Sequence, residues 1–253
     1  MANPILVNGV ASPQSIYETF ASPKHALGTK AFLDDGTFYY ARAGATALAR
    51  CLLNTRSARV ANHVSVAWAS GGAANSNKVT VTLGATAATA NQYADGILFI
   101  HDGTGSGTKR KIKSHPAADA SATLELTMYD TLEVASVTGD EVTLVANLYG
   151  GTIVHPGNAA SIIVGVPQVA VPISDYYWAQ TWGPGLVQGD GSTFVDGIDV
   201  VPASAGTADA GQVTIVVETG TTENTNPVVG RCIDIGDAAS DLDYRLIDLR
   251  IRA

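Results

Sequence analysis

The chain has 253 residues, of which 46% are hydrophobic and only 15% charged, with a formal net charge of −8. This length supports a real hydrophobic core, as one large domain or a few modules. The acidic balance works against binding a nucleic-acid backbone, which depends on lysines and arginines neutralising phosphates. A charged fraction well below the usual figure of about a quarter points to a surface that faces protein as well as water.

Residues 1–28 carry Pro4, Pro13 and Pro23 among scattered apolar side chains. Proline at that spacing blocks long helices and favours extended backbone, leaving room for one helical turn over Ser15–Phe20. Ile5, Leu6, Tyr17 and Phe20 need somewhere to dock, so the segment reads as an extended N-terminal arm lying on a neighbouring surface. The start, Met1-Ala2-Asn3-Pro4-Ile5, lacks the basic and apolar run of a secretory signal. No apolar run approaches the ~20 residues that span a bilayer. The expectation is a soluble product of the cytosol with no membrane partner.

Thr29–Leu33 and Thr37–Ala41 flank Asp34-Asp35-Gly36, and an Asp-Gly pair between alternating runs is a strong hairpin signal. Residues 44–54 are rich in Ala and Leu, and read as either a short helix or a buried strand and loop. Val64–Trp68 and Lys78–Leu83 predict a second hairpin. Between 93 and 149, short alternating runs are cut by Gly- and Asp-rich turns, the pattern of an all-β meander, sandwich or barrel. Ser161–Ile173 is nearly continuous apolar sequence in which Pro167 and Pro172 imply an edge or bulged strand. In the next run Tyr176, Trp178 and Trp182 fall on one strand face with Gln180, and Gly183-Pro184-Gly185 closes the strand. Gln212–Thr219 reads as a strand. Residues 242–252 alternate apolar with charged, so the C-terminus should be locked in a sheet. The fold class is therefore all-β, built of antiparallel sandwich or barrel modules. The expected organisation is an arm over 1–28, a main domain over 29–190 with a barrel-like submodule at 61–149, and a C-terminal β module over 191–253.

Motifs for chemistry are sparse. Gly103, Gly105 and Gly107 lack the helix that a dinucleotide cradle needs, and Thr108 stands where a phosphate loop needs Lys, so a hairpin tip fits better. Lys109-Arg110-Lys111 and Lys113 read as a solvated strand face. His25, His63, His101, His115 and His155 show no metal-binding spacing. The aspartates at 196, 199, 234, 237, 241 and 243 sit in turn contexts that account for them. Two cysteines, Cys51 and Cys232, make no disulfide framework, although a bond between them stays open. No catalytic, cofactor or metal residue is assigned. The face of Tyr176, Trp178 and Trp182 suits a core or an interface first and a sugar platform second.

Several stretches together resemble uncharacterised virion structural proteins of tailed bacteriophages. They are Gly28-Thr29-Lys30 before the hairpin, Tyr40-Ala41-Arg42-Ala43-Gly44, Ala90–Gly96 before the glycine turn, Asn147-Leu148-Tyr149, and Trp178–Pro184. The resemblance spans about residues 28–190. It implies a capsid decoration or cement protein: a non-enzymatic homotrimer on the outer capsid surface of the virion, with the major capsid protein as partner and no cofactor or nucleic acid. Ile5, Leu6, Tyr17, Phe20, Tyr176, Trp178 and Trp182 are the expected interface residues. The rival readings are a tail or receptor-binding protein that grips host glycans, and a carbohydrate-active enzyme.

Overall fold

In a computed structural model the chain forms antiparallel strands joined by turns, as the alternation predicts. The structure describes residues 4–70, 72–157, 161–204, 209–216, 226–234 and 244–251. Among these the only helical segment is a 3-10 turn, Ala61–His63. No described helix is long and apolar enough to cross a membrane.

Five strands come first: β1 Leu6–Val7, β2 Val10–Ala11, β3 Lys30–Leu33, β4 Gly36–Arg42 and β5 Asn54–Thr55. Next are β6 Val66–Ser70, β7 Lys78–Thr82, β8 Ile97–Asp102, β9 Thr108–Ser114, β10 Thr123–Met128 and β11 Glu141–Val145. The last group is β12 Ile153–Val154, β13 Ile163–Pro167, β14 Tyr176–Gln188, β15 Asp199–Pro202, β16 Val213–Ile215, β17 Gly230–Asp234 and β18 Tyr244–Arg250. Contacts divide them into two units, Met1–Ser57 with Leu148–Ala253, and Ala58–Asn147. Residues 191–253 do not stand apart, because β15, β17 and β18 lie in one sheet with β14.

In the larger unit the sheet runs β16-β15-β17-β18-β14-β4-β3-β1-β2, with β5, β12 and β13 branching from it. The β3–β4 hairpin turns one residue earlier than Asp35-Gly36 suggests. Leu33 pairs with Gly36, so the turn is Asp34-Asp35, and Asp34 takes the positive φ of +48°. Glycine at 36 serves packing instead, because a Cβ there would sit 2.8 Å from the Phe38 ring. Residues 44–54 form no helix; Leu48 bridges to Val171 and the segment ends in β5. β13 is buried throughout, with a register shift against β5 between Ile163 and Gly165.

β14 runs straight through Gly183-Pro184-Gly185, where the sequence suggests an end. It pairs with β4 over Tyr176–Trp182 and with β18 over Trp182–Gln188. Pairing with β18 holds the proline and glycines in a strand they would not form alone. One face of its first half, with Tyr177 and Ala179, packs against Ala41, Leu48, Val164 and Val171. Here the buried Tyr177 hydroxyl accepts from Asn54 Nδ2 at 3.2 Å and donates to Thr152 Oγ1, which donates to Arg42 O. Burial pushes its pKa up to about 12.

The opposite face, with Trp178, Tyr40 and Phe38, is covered by Ile5 and Ile16 of the N-terminal segment. That segment is therefore no arm reaching for a neighbour. Its anchor is Gln14, which is fully buried. Gln14 Nε2 donates to the carbonyls of Glu18 and Tyr176 at 2.9 and 3.0 Å, and Oε1 accepts from the Tyr40 hydroxyl at 2.7 Å. Its own carbonyl accepts from the Trp178 indole at 3.1 Å. One glutamine thus bonds four groups of the strands and turns around it. Gln14→Ala takes from the Tyr40 hydroxyl its acceptor while Lys24 N still bonds it, and should cost about 1–3 kcal/mol, read as a lower urea midpoint for the larger unit.

In the smaller unit, β6–β7 and β8–β9 are hairpins, β10 pairs with β7 and β9, and β11 pairs with β6 and β8. The ring closes as β10-β7-β6-β11-β8-β9. The 93–149 stretch is thus one part of a barrel, not a simple meander, because β10 and β11 are not neighbours. Trp68, Leu98, Ile112, Leu124, Leu126 and Met128 fill the interior.

Three polar rings pack beside this core. His63 Nε2 bonds the Thr86 carbonyl at 2.8 Å, so it carries the proton, and Nδ1 accepts from the Tyr93 hydroxyl. His115 Nδ1 donates to Pro116 O at 2.7 Å, and Nε2 accepts the Tyr93 backbone N–H at 2.9 Å. The His115 ring is satisfied only when neutral, because its Nε2 faces a backbone N–H that can only donate. Burial, followed by the nearby His63, holds the His115 pKa below its ordinary 6.5. A histidine depressed on folding gives its full stability above the unfolded value and loses it as pH falls through the folded one. Barrel stability should therefore decline as pH drops below about 6.5. His115→Gln should shallow that decline in urea titrations that follow Trp68 fluorescence in a Trp178→Phe/Trp182→Phe background.

Candidate functional site

Beyond Gln180 the outer face of the large sheet is no longer covered by the N-terminal segment, and a groove of about 310 Å³ opens there. Buried Phe38 and Gln180 line it from within, and exposed Tyr17 and Leu186 stand at its rim. The Asp34-Asp35 turn borders it with two carboxylates. Gln168 contributes a buried Nε2 that has no hydrogen-bond partner. The lining contains no Ser, Cys, His or Lys. The lining is mixed: apolar side chains such as Phe38 and Leu186 alternate with two carboxylates and two amides.

The groove exists because β14 is irregular. Its pairing with β4 shifts between Gln180 and Trp182. The Gln180 amide ties that shift down by donating to Pro184 O at 2.8 Å and Trp182 O at 3.3 Å. After the shift, Trp182, Pro184 and Leu186 point outward, while Gly183, Gly185 and Val187 point inward. Gly183 has φ +81°, and a Cβ there would collide with the Asp35 carbonyl, so the hairpin turn is drawn against the strand.

Of the seven residues expected at an interface, Tyr17 lines this groove. Leu6 and Trp182 are exposed but do not line it. Phe20 and Tyr176 are half-buried and bridge each other. Ile5 and Trp178 lie in the chain's own core. The sequence puts Tyr176, Trp178 and Trp182 on one face, but they form no shared platform: Trp178 is wholly buried, edge-on to Tyr40 at 4.9 Å between centroids. Sugar stacking needs open ring faces, so this set cannot supply it.

Among the described residues, no three His, Cys, Asp or Glu side chains gather as a metal site requires. Cys51 and Cys232 are both buried and not joined by a disulfide. Asp199 forms an ion pair with Arg231 at 2.6 Å. Asp237, Asp241 and Asp243 lie outside the described residues, as does the last part of the strand expected over Gln212–Thr219. The Gln14 anchor and the His63–Tyr93–His115 set had no sequence signal, because a lone Gln or His looks the same exposed or buried. Compared with known protein families, curated proteins and solved structures, the chain matches none. What its own geometry defines is the fold: an all-β protein with a closed six-strand barrel and a larger antiparallel sheet.

The Gly183 geometry gives a direct test of that groove. Gly183→Ala adds backbone strain of about 1–3 kcal/mol and pushes the Asp34-Asp35 turn off β14. It should lower the unfolding midpoint of the larger unit, whereas Gly197→Ala, also at positive φ (+75°) but with open space around it, should cost less.

Proposed function

We propose that this is a capsid decoration protein, which binds the outside of an assembled bacteriophage shell as a homotrimer and stabilises it without catalysis. The groove beside the Asp34-Asp35 turn carries the reading: a recess of mixed apolar, amide and carboxylate lining on a sheet, with no catalytic side chain in it, suits fit to another protein. The low charge of the chain and the resemblance of residues 28–190 to phage virion proteins support the same direction. A protein that binds only the assembled shell stabilises it by mass action, and many copies add avidity. Tyr17, Leu186 and the turn carboxylates would make the contact.

Purified protein should co-sediment with assembled shells and not with unassembled capsid subunits, at a copy number comparable with those subunits. Its solution mass should be three times the 26.0 kDa of the chain. The Tyr17→Ser/Leu186→Ser pair, both exposed and thus tolerated by the fold, should weaken shell binding at least about ten-fold, the loss of two anchoring apolar contacts. A monomer that ignores shells, or binding unchanged in the double variant, would sink this reading.

A further inference from the structure

A second surface, on the barrel and outside the groove, has a composition of its own. Lys109, Lys111 and Lys113 are all exposed and alternate along β9, with Ile112 turned into the core between the last two. Across the hairpin Phe99 stands opposite Lys109 and Ile97 opposite Lys111, so these apolar side chains share the lysines' face. Tyr129, more than half exposed, extends the wall on the other side of Lys111. Asp95 takes Lys111 at 3.4 Å, and among the described residues no ion pair reaches Lys109 or Lys113.

We propose that this wall docks an extended acidic segment of a partner protein. Alternate side chains of a strand lie roughly 6.6 Å apart, and those of an extended peptide keep the same pitch. Carboxylates at every second position would therefore meet Lys109 and Lys113 directly and compete with Asp95 for Lys111 between them, in register. Apolar or β-branched side chains of the segment would lie on Ile97 and Phe99. The contact has to run through side chains, because a closed barrel offers no free edge for strand addition.

The other polyanion with similar spacing is single-stranded nucleic acid, which adds affinity by stacking bases on open aromatic rings. Neither ring offers a whole open face: half-buried Phe99 can take an apolar side chain on its exposed part but not a stacked base, and the Tyr129 face is covered. The Lys111 ammonium sits 5.4 Å over the Tyr129 ring, whose hydroxyl is held by Asp95 at 3.0 Å. Phe99 packs against His101 at 5.6 Å. A chain of net charge −8 also repels a long polyanion more than a short segment.

The probe is a fluorescein-labelled decapeptide of alternating Glu and Thr, read by anisotropy against the full chain. It should bind at about 50 mM salt and weaken at least about ten-fold by 0.5 M, where exposed charges are screened. The same peptide with Gln for Glu should not bind. Lys109→Gln/Lys111→Gln/Lys113→Gln changes three exposed side chains, so its circular dichroism should match the parent while peptide affinity falls at least ten-fold. Binding that survives the triple variant, or no binding of the Glu peptide at low salt, overturns the proposal. Tighter binding of a thymidine decanucleotide than of the peptide overturns it in favour of nucleic acid.

Discussion

The constraint on which the larger unit depends is the thirteen-residue strand β14, whose two halves live in different surroundings. Up to Gln180 it is covered on both faces, by the inner core on one side and the N-terminal segment on the other. Past the register shift at Gln180–Trp182 it leaves β4 for β18, and its outer face lies open. A strand that pairs first one way and then the other must either end or kink. Here the Gln180 amide holds the kink by bonding the carbonyls that follow it, at a site where unpaired buried carbonyls would each cost about 1–3 kcal/mol. Core, groove and hairpin position all follow from that one irregularity.

The N-terminal segment shows why a proline-rich, half-apolar stretch can be fixed without regular structure. Only two short strands form within it, yet Ile5 and Ile16 are buried. Apolar burial alone would let such a segment slide over the sheet, since it is non-directional. The Gln14 bonds supply direction, because each requires one donor and one acceptor at fixed geometry. His25 adds a ring contact to both Tyr40 and Trp178 at 5.3 Å and a bond to Ser12 Oγ at 2.9 Å. The barrel works differently: closure itself fixes register, and its apolar interior needs few polar ties.

Much of the fold was legible in the sequence because it is written in two-residue alternation. Hairpins at 30–42, 66–82 and 97–114 and the terminal strand at 244–250 each follow from local pattern. What escaped is non-local. The turn at Asp34-Asp35 was displaced because Gly36 answers to the Phe38 ring, a packing demand no turn rule contains. Gly183-Pro184-Gly185 reads as a stop, and only pairing with β18 makes it a strand. The aromatic face was correct as alternation and misleading as a surface, since Trp178 is sealed by a segment more than 150 positions earlier in the chain. Of the candidate groove, only Tyr17 was foreseen.

The two units also expose their backbone differently, and this limits how either meets a partner. The barrel has no edge. The large sheet ends in β2 and β16, whose described lengths are two and three residues. Edges that short are poor templates for strand addition, which needs a run of unpaired donors and acceptors. Side-chain faces present shape and charge at positions that such a framework fixes. A stiff β framework suits contact through those faces, since ordering entropy is already spent before contact and little is lost on binding.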